Sequence, residues 1–237
     1  MEHIYRQMWQ EAQPNIHNNN LALDHLIDSV TDRRYGLTLV IRPSDAIKQQ
    51  CQLLLEKLKH IEPQQYYYPA EDMHITLLSI ISCYEGFRLD QINTADYIEV
   101  INRSIKTLSP FKLQFKGVTA SSAGVLLQGF SPQTTLNDCR ATLRQNFKKS
   151  TLQQSIDTRY ELQTAHSTVV RFRRPLNNPN RFIQVLEQYK NIEFGQCEIK
   201  HIELVGTDWY HRMNQVKLIK TFGLNHLLQG IENEYQR

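Results

Sequence analysis

The chain has 237 residues, with 27 Lys and Arg against 24 Asp and Glu, a net charge of +3 and 41% hydrophobic residues. This is the composition of one ordinary globular protein. The slight basic excess suits an anionic ligand but falls short of the dense positive surface that duplex DNA calls for. No apolar run approaches the roughly 18–20 residues needed to span a bilayer, and MEHIYRQMWQEAQ at the N-terminus lacks the apolar core of a signal peptide. The expectation is a cytoplasmic monomer with no membrane partner.

Residues 1–34 read as a peripheral segment in which two short helical stretches flank the polar run NIHNNN (15–20). Regular structure begins with the strand GLTLVIRP (36–43). Ser44 is then a good N-cap for a helix whose apolar stripe is Ile47, Cys51, Leu54, Leu55 and Leu58. After the loop EPQQYYYPAED come the strand MHITLLSII (73–81), a helix over about 91–108 and the alternating strand FKLQFKGV. The second half repeats the order. It has a strand AGVLLQGF (123–130), a turn opened by Pro132, a helix at 136–149 and a strand AHSTVVRF (165–172). A helix opened by Pro179 follows, and CEIKHIELVGTDWY and QVKLIKTF close the chain as antiparallel strands. Gly36 precedes His74 by 38 residues and Gly124 precedes His166 by 42, so the two halves look like a duplicated unit. The expected boundaries are 1–34 for the N-terminal segment and 35–237 for a single bilobal domain, with lobe units of about 36–118 and 123–221.

The two halves also share chemistry. Tyr68, five residues, His74, Ile75, Thr76 is matched by Tyr160, five residues, His166, Ser167, Thr168, and each motif continues into two aliphatic residues. A lone His-x-Thr is weak, since nine histidines in such a chain would give about one by chance. Two in corresponding strands, each with a tyrosine at the same offset, are hard to explain as packing. In a strand, His and Thr two residues apart face the same way. If the halves face each other, two imidazoles and two hydroxyls enter one cleft. That set suits in-line displacement at a phosphodiester. A neutral imidazole takes the proton of the attacking oxygen, an imidazolium protonates the leaving oxygen, and the hydroxyls donate to non-bridging oxygens. Which histidine plays which part stays open. The chemistry calls for no metal, and the Asp and Glu residues are not spaced as a two-metal cluster.

These motifs resemble those of the two-histidine (2H) phosphoesterase superfamily, which includes RNA 2′,3′-cyclic phosphodiesterases often labelled 2′-5′ RNA ligases. His74-Ile75-Thr76-Leu77 fits the His-hydrophobic-Thr-hydrophobic pattern fully. His166-Ser167-Thr168-Val169 departs mildly, with Ser at a position pointing away from the cleft. The resemblance runs over roughly residues 36–221. It implies a bilobal α+β fold, two antiparallel sheets around a central cleft with flanking helices. It also implies metal-free phosphodiesterase activity, with His74, Thr76, His166 and Thr168 as the catalytic set. The substrate it implies is a small nucleotide or RNA end, without cofactor. A catalytically silent nucleotide- or RNA-end-binding module is the alternative.

Other residues are weighed against structural roles. Tyr68 and Tyr160 either line the cleft or anchor their loops, and Tyr66 to Tyr68 could stack on a base or pack in the core. Strict alternation puts Arg171 and Arg173 on the face opposite His166, with phosphate steering as the alternative to a solvated rim for Arg171, Arg173 and Arg174. Arg42, Thr38 and Gln128 could each reach the cleft. His201 and His211 flank DWY at a spacing that matches no metal-ligand pattern. The four cysteines (51, 83, 139, 197) contain no CxxC and read as reduced, buried thiols, with Cys83 a nucleophile candidate by position alone.

Overall fold

In the computed structural model, which describes residues 1–131 and 134–224, the chain folds as α+β with two antiparallel sheets. Pro132 lies outside the described residues. Strands β1 (Arg34–Ile41), β3 (Ile75–Glu85), β8 (His201–Asp208) and β9 (Lys217–Gly223) form one sheet in the order β3-β1-β8-β9. The other runs β2-β6-β5-β4-β7, from β2 (Tyr66–Tyr67), β6 (Ser167–Arg171), β5 (Gly124–Phe130), β4 (Phe111–Ser121) and β7 (Glu193–Ile199). The sheets therefore do not divide at the sequence midpoint. The strand that ends the first half joins the second sheet, and the last two strands return to the first. Lobe units of 36–118 and 123–221 are corrected accordingly: each sheet borrows strands from the other half.

Glycine placement accounts for the duplicated core. Gly36 lies in β1 and Gly124 opens β5, two residues apart in register when counted from the motif threonines. A Cβ at Gly36 would lie 2.4 Å from the carbonyl oxygen of Ile81 in β3, and one at Gly124 would lie 2.0 Å from that of Val170 in β6. Only glycine lets each histidine strand approach its neighbour this closely.

The helices pack as their apolar stripes dictate. In α2 (Asp45–Ile61) the expected stripe Ile47, Cys51, Leu54, Leu55 and Leu58 is buried, although the N-cap Ser44 makes no side-chain hydrogen bond. Asn93 caps α3 (Thr94–Ile105) through Ala95 N–H at 3.2 Å, and Asn178 caps α5 (Pro179–Gln188) through Arg181 N–H at 3.2 Å. α4 (Thr135–Lys149) buries Leu136, Cys139, Leu143 and Phe147, and also Arg140.

The N-terminal segment departs most from expectation. Instead of two short stretches around NIHNNN, one helix, α1 (Glu2–His17), continues through Pro14. It buries Tyr5, Trp9, Ala12 and Ile16 on one stripe, packed against β4 and α5. The Tyr5 hydroxyl donates to the Gly129 carbonyl (3.0 Å) and accepts from the N–H of Gly129 (3.3 Å) and Ala165 (3.1 Å). Burying each such large apolar side chain is worth roughly 1.5–3 kcal/mol, so α1 is an integral layer of the second lobe. The sequence pattern Tyr5, Trp9, Ala12, Ile16 carried that signal at helical spacing.

Candidate active site

His74, Thr76, His166 and Thr168 line one cleft of about 200 Å³ between the two sheets. The motif strands reach it by the same local device. In the β1–β3 pair the register passes from Leu39 opposite Leu78 to Val40 opposite Thr76, leaving Leu77 as an extra residue. In the β5–β6 pair it passes from Val125 opposite Val170 to Leu126 opposite Thr168, leaving Val169 extra. Each motif is thus followed, one residue after its threonine, by a β-bulge. A bulge shifts the alternation by one position. Leu77 and Leu78 are consecutively buried, as are Val169 and Val170, and Ser79 and Arg171 turn into the cleft. Arg171, assigned by strict alternation to the face opposite His166, is corrected for this reason.

The Nδ1 atoms of both imidazoles are held from behind, leaving Nε2 for the cleft. His74 Nδ1 lies 2.8 Å from the Asp72 carbonyl, which can only accept, so this nitrogen carries the proton. His166 Nδ1 lies 2.7 Å from the Thr164 hydroxyl, which can donate or accept. Burial pushes His74 down to about 4, opposed by the Asp72 carbonyl and reinforced by the positive charges of Arg42, His166 and Arg171. Burial with the nearby Arg140 pushes His166 down to about 4. Both rings are therefore neutral at pH 7 without ligand.

Arg140 joins the two motifs. Its side chain is fully buried and reaches from α4 to three backbone carbonyls. Nε donates to Leu77 (2.9 Å), and Nη2 donates to Thr76 (2.9 Å) and Thr164 (2.8 Å). One guanidinium holds the first motif at its bulge and the second two residues before His166. Burial lowers its pKa to about 10, so it stays charged at neutral pH.

The remaining sequence candidates divide. Tyr68 lines the cleft but is fully buried, its hydroxyl accepting from Arg171 Nε at 2.9 Å, so it aims the guanidinium. Tyr160 lines the rim and is 64% exposed, free to meet a ligand. Thr38 also lines the cleft. Arg42 is corrected: it lies outside the cleft lining, and its Nε pairs with Glu203 at 3.1 Å. Gln128 and Arg174 are not lining residues either, and Arg173 turns away to Asp28 at 2.8 Å. Cys83 lines the cleft, but burial pushes its thiol up to about 12, which removes it as a nucleophile. None of the four cysteines is in a disulfide.

Three features were not read from the sequence. His211, in the left-handed region at φ 62°, stacks on His74 with ring centroids 3.8 Å apart and a buried Nε2 without a partner. Its turn is tied back to the motif, since Met213 N–H donates to Asp72 at 2.8 Å. Trp209 lies at the cleft mouth with the guanidinium groups of Arg34 and Arg159 over its ring at 4.5 and 4.3 Å. Nothing in DWYH announced these contacts, which depend on the β8–β9 connection folding back over β3. Arg140 was legible as the one charged residue in the stripe Leu136, Arg140, Leu143, Phe147. Among the described residues no three His, Cys, Asp or Glu side chains are grouped to hold a metal ion, and no helix is long and apolar enough to cross a membrane.

This combination of bilobal sheets and facing His-x-Thr strands defines a 2H phosphoesterase fold. TT0787 of Thermus thermophilus superposes with a TM-score of 0.57 at 13% identity, over 80% of this chain and 97% of that one. Escherichia coli LigT, in its complex with 3′-AMP, superposes with a TM-score of 0.52 at 13% identity, over 81% of this chain and 99% of that one. The conserved protein of unknown function ATU0111 from Agrobacterium tumefaciens gives 0.51 at 11% identity, over 78% of this chain and 84% of its own. A search of curated proteins gives no match. The family model of the AKAP7 2′5′ RNA ligase-like domain matches residues 41–216, and the chain belongs to that family, within the 2H phosphoesterase superfamily.

Proposed function

We propose that the protein is a metal-independent phosphodiesterase acting on a 2′,3′-cyclic nucleotide, an RNA terminus or a related 2′-phosphodiester. The observation that carries this reading is the pair of imidazoles with free Nε2 atoms lining one cleft beside two threonine hydroxyls and Arg171. That LigT was crystallised with 3′-AMP supports a nucleotide as ligand. In hydrolysis, His74 Nε2 takes a proton from the attacking water as its oxygen bonds to phosphorus. The scissile P–O bond breaks, and Nε2–H of His166 protonates the leaving oxygen. Thr76, Thr168 and Arg171 donate to the non-bridging oxygens, where negative charge must be held. The roles follow from surroundings. The positive charges of Arg42 and Arg171 and that of a protonated His166 act on His74 and disfavour a proton on it, so it is the base. His166 rests on a hydroxyl that can accept from an imidazolium, so it is the acid.

The same reading takes the chain as a cytoplasmic monomer and residues 35–237 as one bilobal domain to which α1 is fastened. The test is hydrolysis of 2′,3′-cyclic nucleotides and of 2′–5′ and 3′–5′ dinucleotides with EDTA present. Turnover should persist with EDTA and fall about 10²–10⁴-fold in His74→Ala and His166→Ala. Tight nucleotide binding without turnover by the folded wild type would instead make the protein a silent binding module.

A further inference from the structure

Helix α1 precedes the family-matched segment 41–216, yet it walls a groove that adjoins the cleft. Ile4 and Met8, one turn apart, line a groove of about 420 Å³ together with Ala123, Leu126 and Leu162. The groove opens into the phosphate cleft, with which it shares Tyr160, Leu162, His166, Thr168 and Arg171. Its wall is fixed in place. Tyr5, next to Ile4, bonds the backbone of Ala165, the residue before His166, at 3.1 Å.

We infer that this groove takes the heterocyclic base of the nucleoside whose phosphate lies between His74 and His166. The inference rests on the phosphodiesterase reading and names the part of the substrate that α1 recognises. Three observations support a base over other occupants. The groove begins where Arg171 and Thr168 would hold the phosphate, so the group next along the ligand enters it. Its volume lies within the roughly 300–1,000 Å³ of small-ligand sites. Thioether and aliphatic side chains (Met8, Ile4, Leu126, Leu162) line it beside the polar Ser121 and the acidic Glu161. Arg171, which it shares with the cleft, is the one Lys or Arg in that lining, so a second phosphate meets a carboxylate there and no further counter-charge. A flat, neutral ring does fit, between the polarizable Met8 and the exposed Tyr160. Polar Gln163 and Thr164 border the same groove and can meet the ring's edge.

The experiment compares two substrates on the full chain: a ribonucleoside 2′,3′-cyclic phosphate and methyl riboside 2′,3′-cyclic phosphate, which carries a methoxy group in place of the base. The wild type should favour the nucleoside in kcat/KM by about tenfold or more. Met8→Trp, which fills the groove, should bring that ratio close to one, mainly through KM. Met8→Leu should retain it. Ile4 and Met8 are only half-buried while Tyr5 and Trp9 keep the helix docked, so thermal unfolding reports whether each variant is folded. A ratio unaltered by Met8→Trp, or no preference in the wild type, overturns the inference. If the wild type turns over neither diester, the phosphodiesterase reading fails separately. Calorimetric titration of a nucleoside 3′-monophosphate and of methyl riboside 3-phosphate then decides the groove alone. Base-dependent binding that Met8→Trp abolishes upholds it, and base-independent or absent binding overturns it.

Discussion

The two motif strands are alike in backbone and unlike in surroundings. β3 and β6 each place a bulge directly after the motif threonine, and each is approached by a neighbouring strand through a glycine. What differs is behind and beside the rings. His74 has a pure acceptor behind it, a stacked imidazole over it and two arginines in its field. His166 has an adaptable hydroxyl behind it and Arg140 as its charged neighbour. A duplicated scaffold thus supplies two equivalent positions, and what each half does not share, β8 with its following turn on one side and the buried Arg140 of α4 on the other, makes them inequivalent. In the proposed mechanism, base and acid differ in what surrounds equal side chains.

The largest expected effect breaks that comparison directly. A base is needed whatever the leaving group, whereas an acid is needed only when the departing oxygen is strongly basic. On a nucleoside nitrophenyl phosphodiester, whose leaving group departs without a proton, His166→Ala should recover most of the activity it loses on a dinucleotide. His74→Ala should stay down by about 10²-fold or more. Steady-state rates on both substrates check this, and recovery by the His74 variant alone would reverse the roles.

Arg140 sharpens the comparison from the other side, because it is what the two strands share. Arg140→Met leaves the Thr76, Leu77 and Thr164 carbonyls without their donor in the core. Unmade hydrogen bonds to buried groups cost about 1–3 kcal/mol each, so urea unfolding should show a loss of about 3 kcal/mol. Arg140→Lys keeps the charge but lacks the planar fork, and cannot reach all three carbonyls in the same geometry. It should fold, and lose about tenfold to 100-fold in kcat with little change in KM, as the two rings drift out of line. Unfolding of Arg140→Met within about 0.5 kcal/mol of wild type would show that the strands hold their register without it.

Periodicity made much of this legible. The alternation of His74 with Thr76 and of His166 with Thr168, repeated in order along two halves, carried the sheets and the four central side chains. It failed where alternation is interrupted. A bulge leaves no mark in Val169-Val170-Arg171, so Arg171 fell on the wrong face, and Arg42 at the end of β1 looked available although Glu203 on β8 holds it. Strand exchange between the sheets was also hidden, because a strand's own pattern does not name its neighbour. The NIHNNN run outweighed the stripe of Tyr5, Trp9, Ala12 and Ile16, though the stripe was the stronger physical signal.

The smallest effect concerns protons, and it reads both environments at once. His74 and His166 fall to about 4 in the folded protein, while an unfolded chain holds them near 6.5. Between these values the unfolded state binds more protons, so stability is full above about pH 6.5 and is lost as the pH falls toward 4. Each histidine contributes a slope of at most about 1.4 kcal/mol per pH unit. Buried His211 is displaced further in the same direction. Asp72 and Asp208, whose carboxyls are raised by burial, act oppositely nearer their own range. The histidine signature is therefore read between about pH 6.5 and 5, as a slope in urea stability that weakens in His74→Gln/His166→Gln. A double variant as pH-sensitive as the wild type would place the proton uptake elsewhere. Activity should follow the same groups. One ring must be protonated and one neutral, so kcat/KM should peak on the acid side of the free imidazole range. The bound phosphodiester's negative charge then moves the optimum of kcat upward.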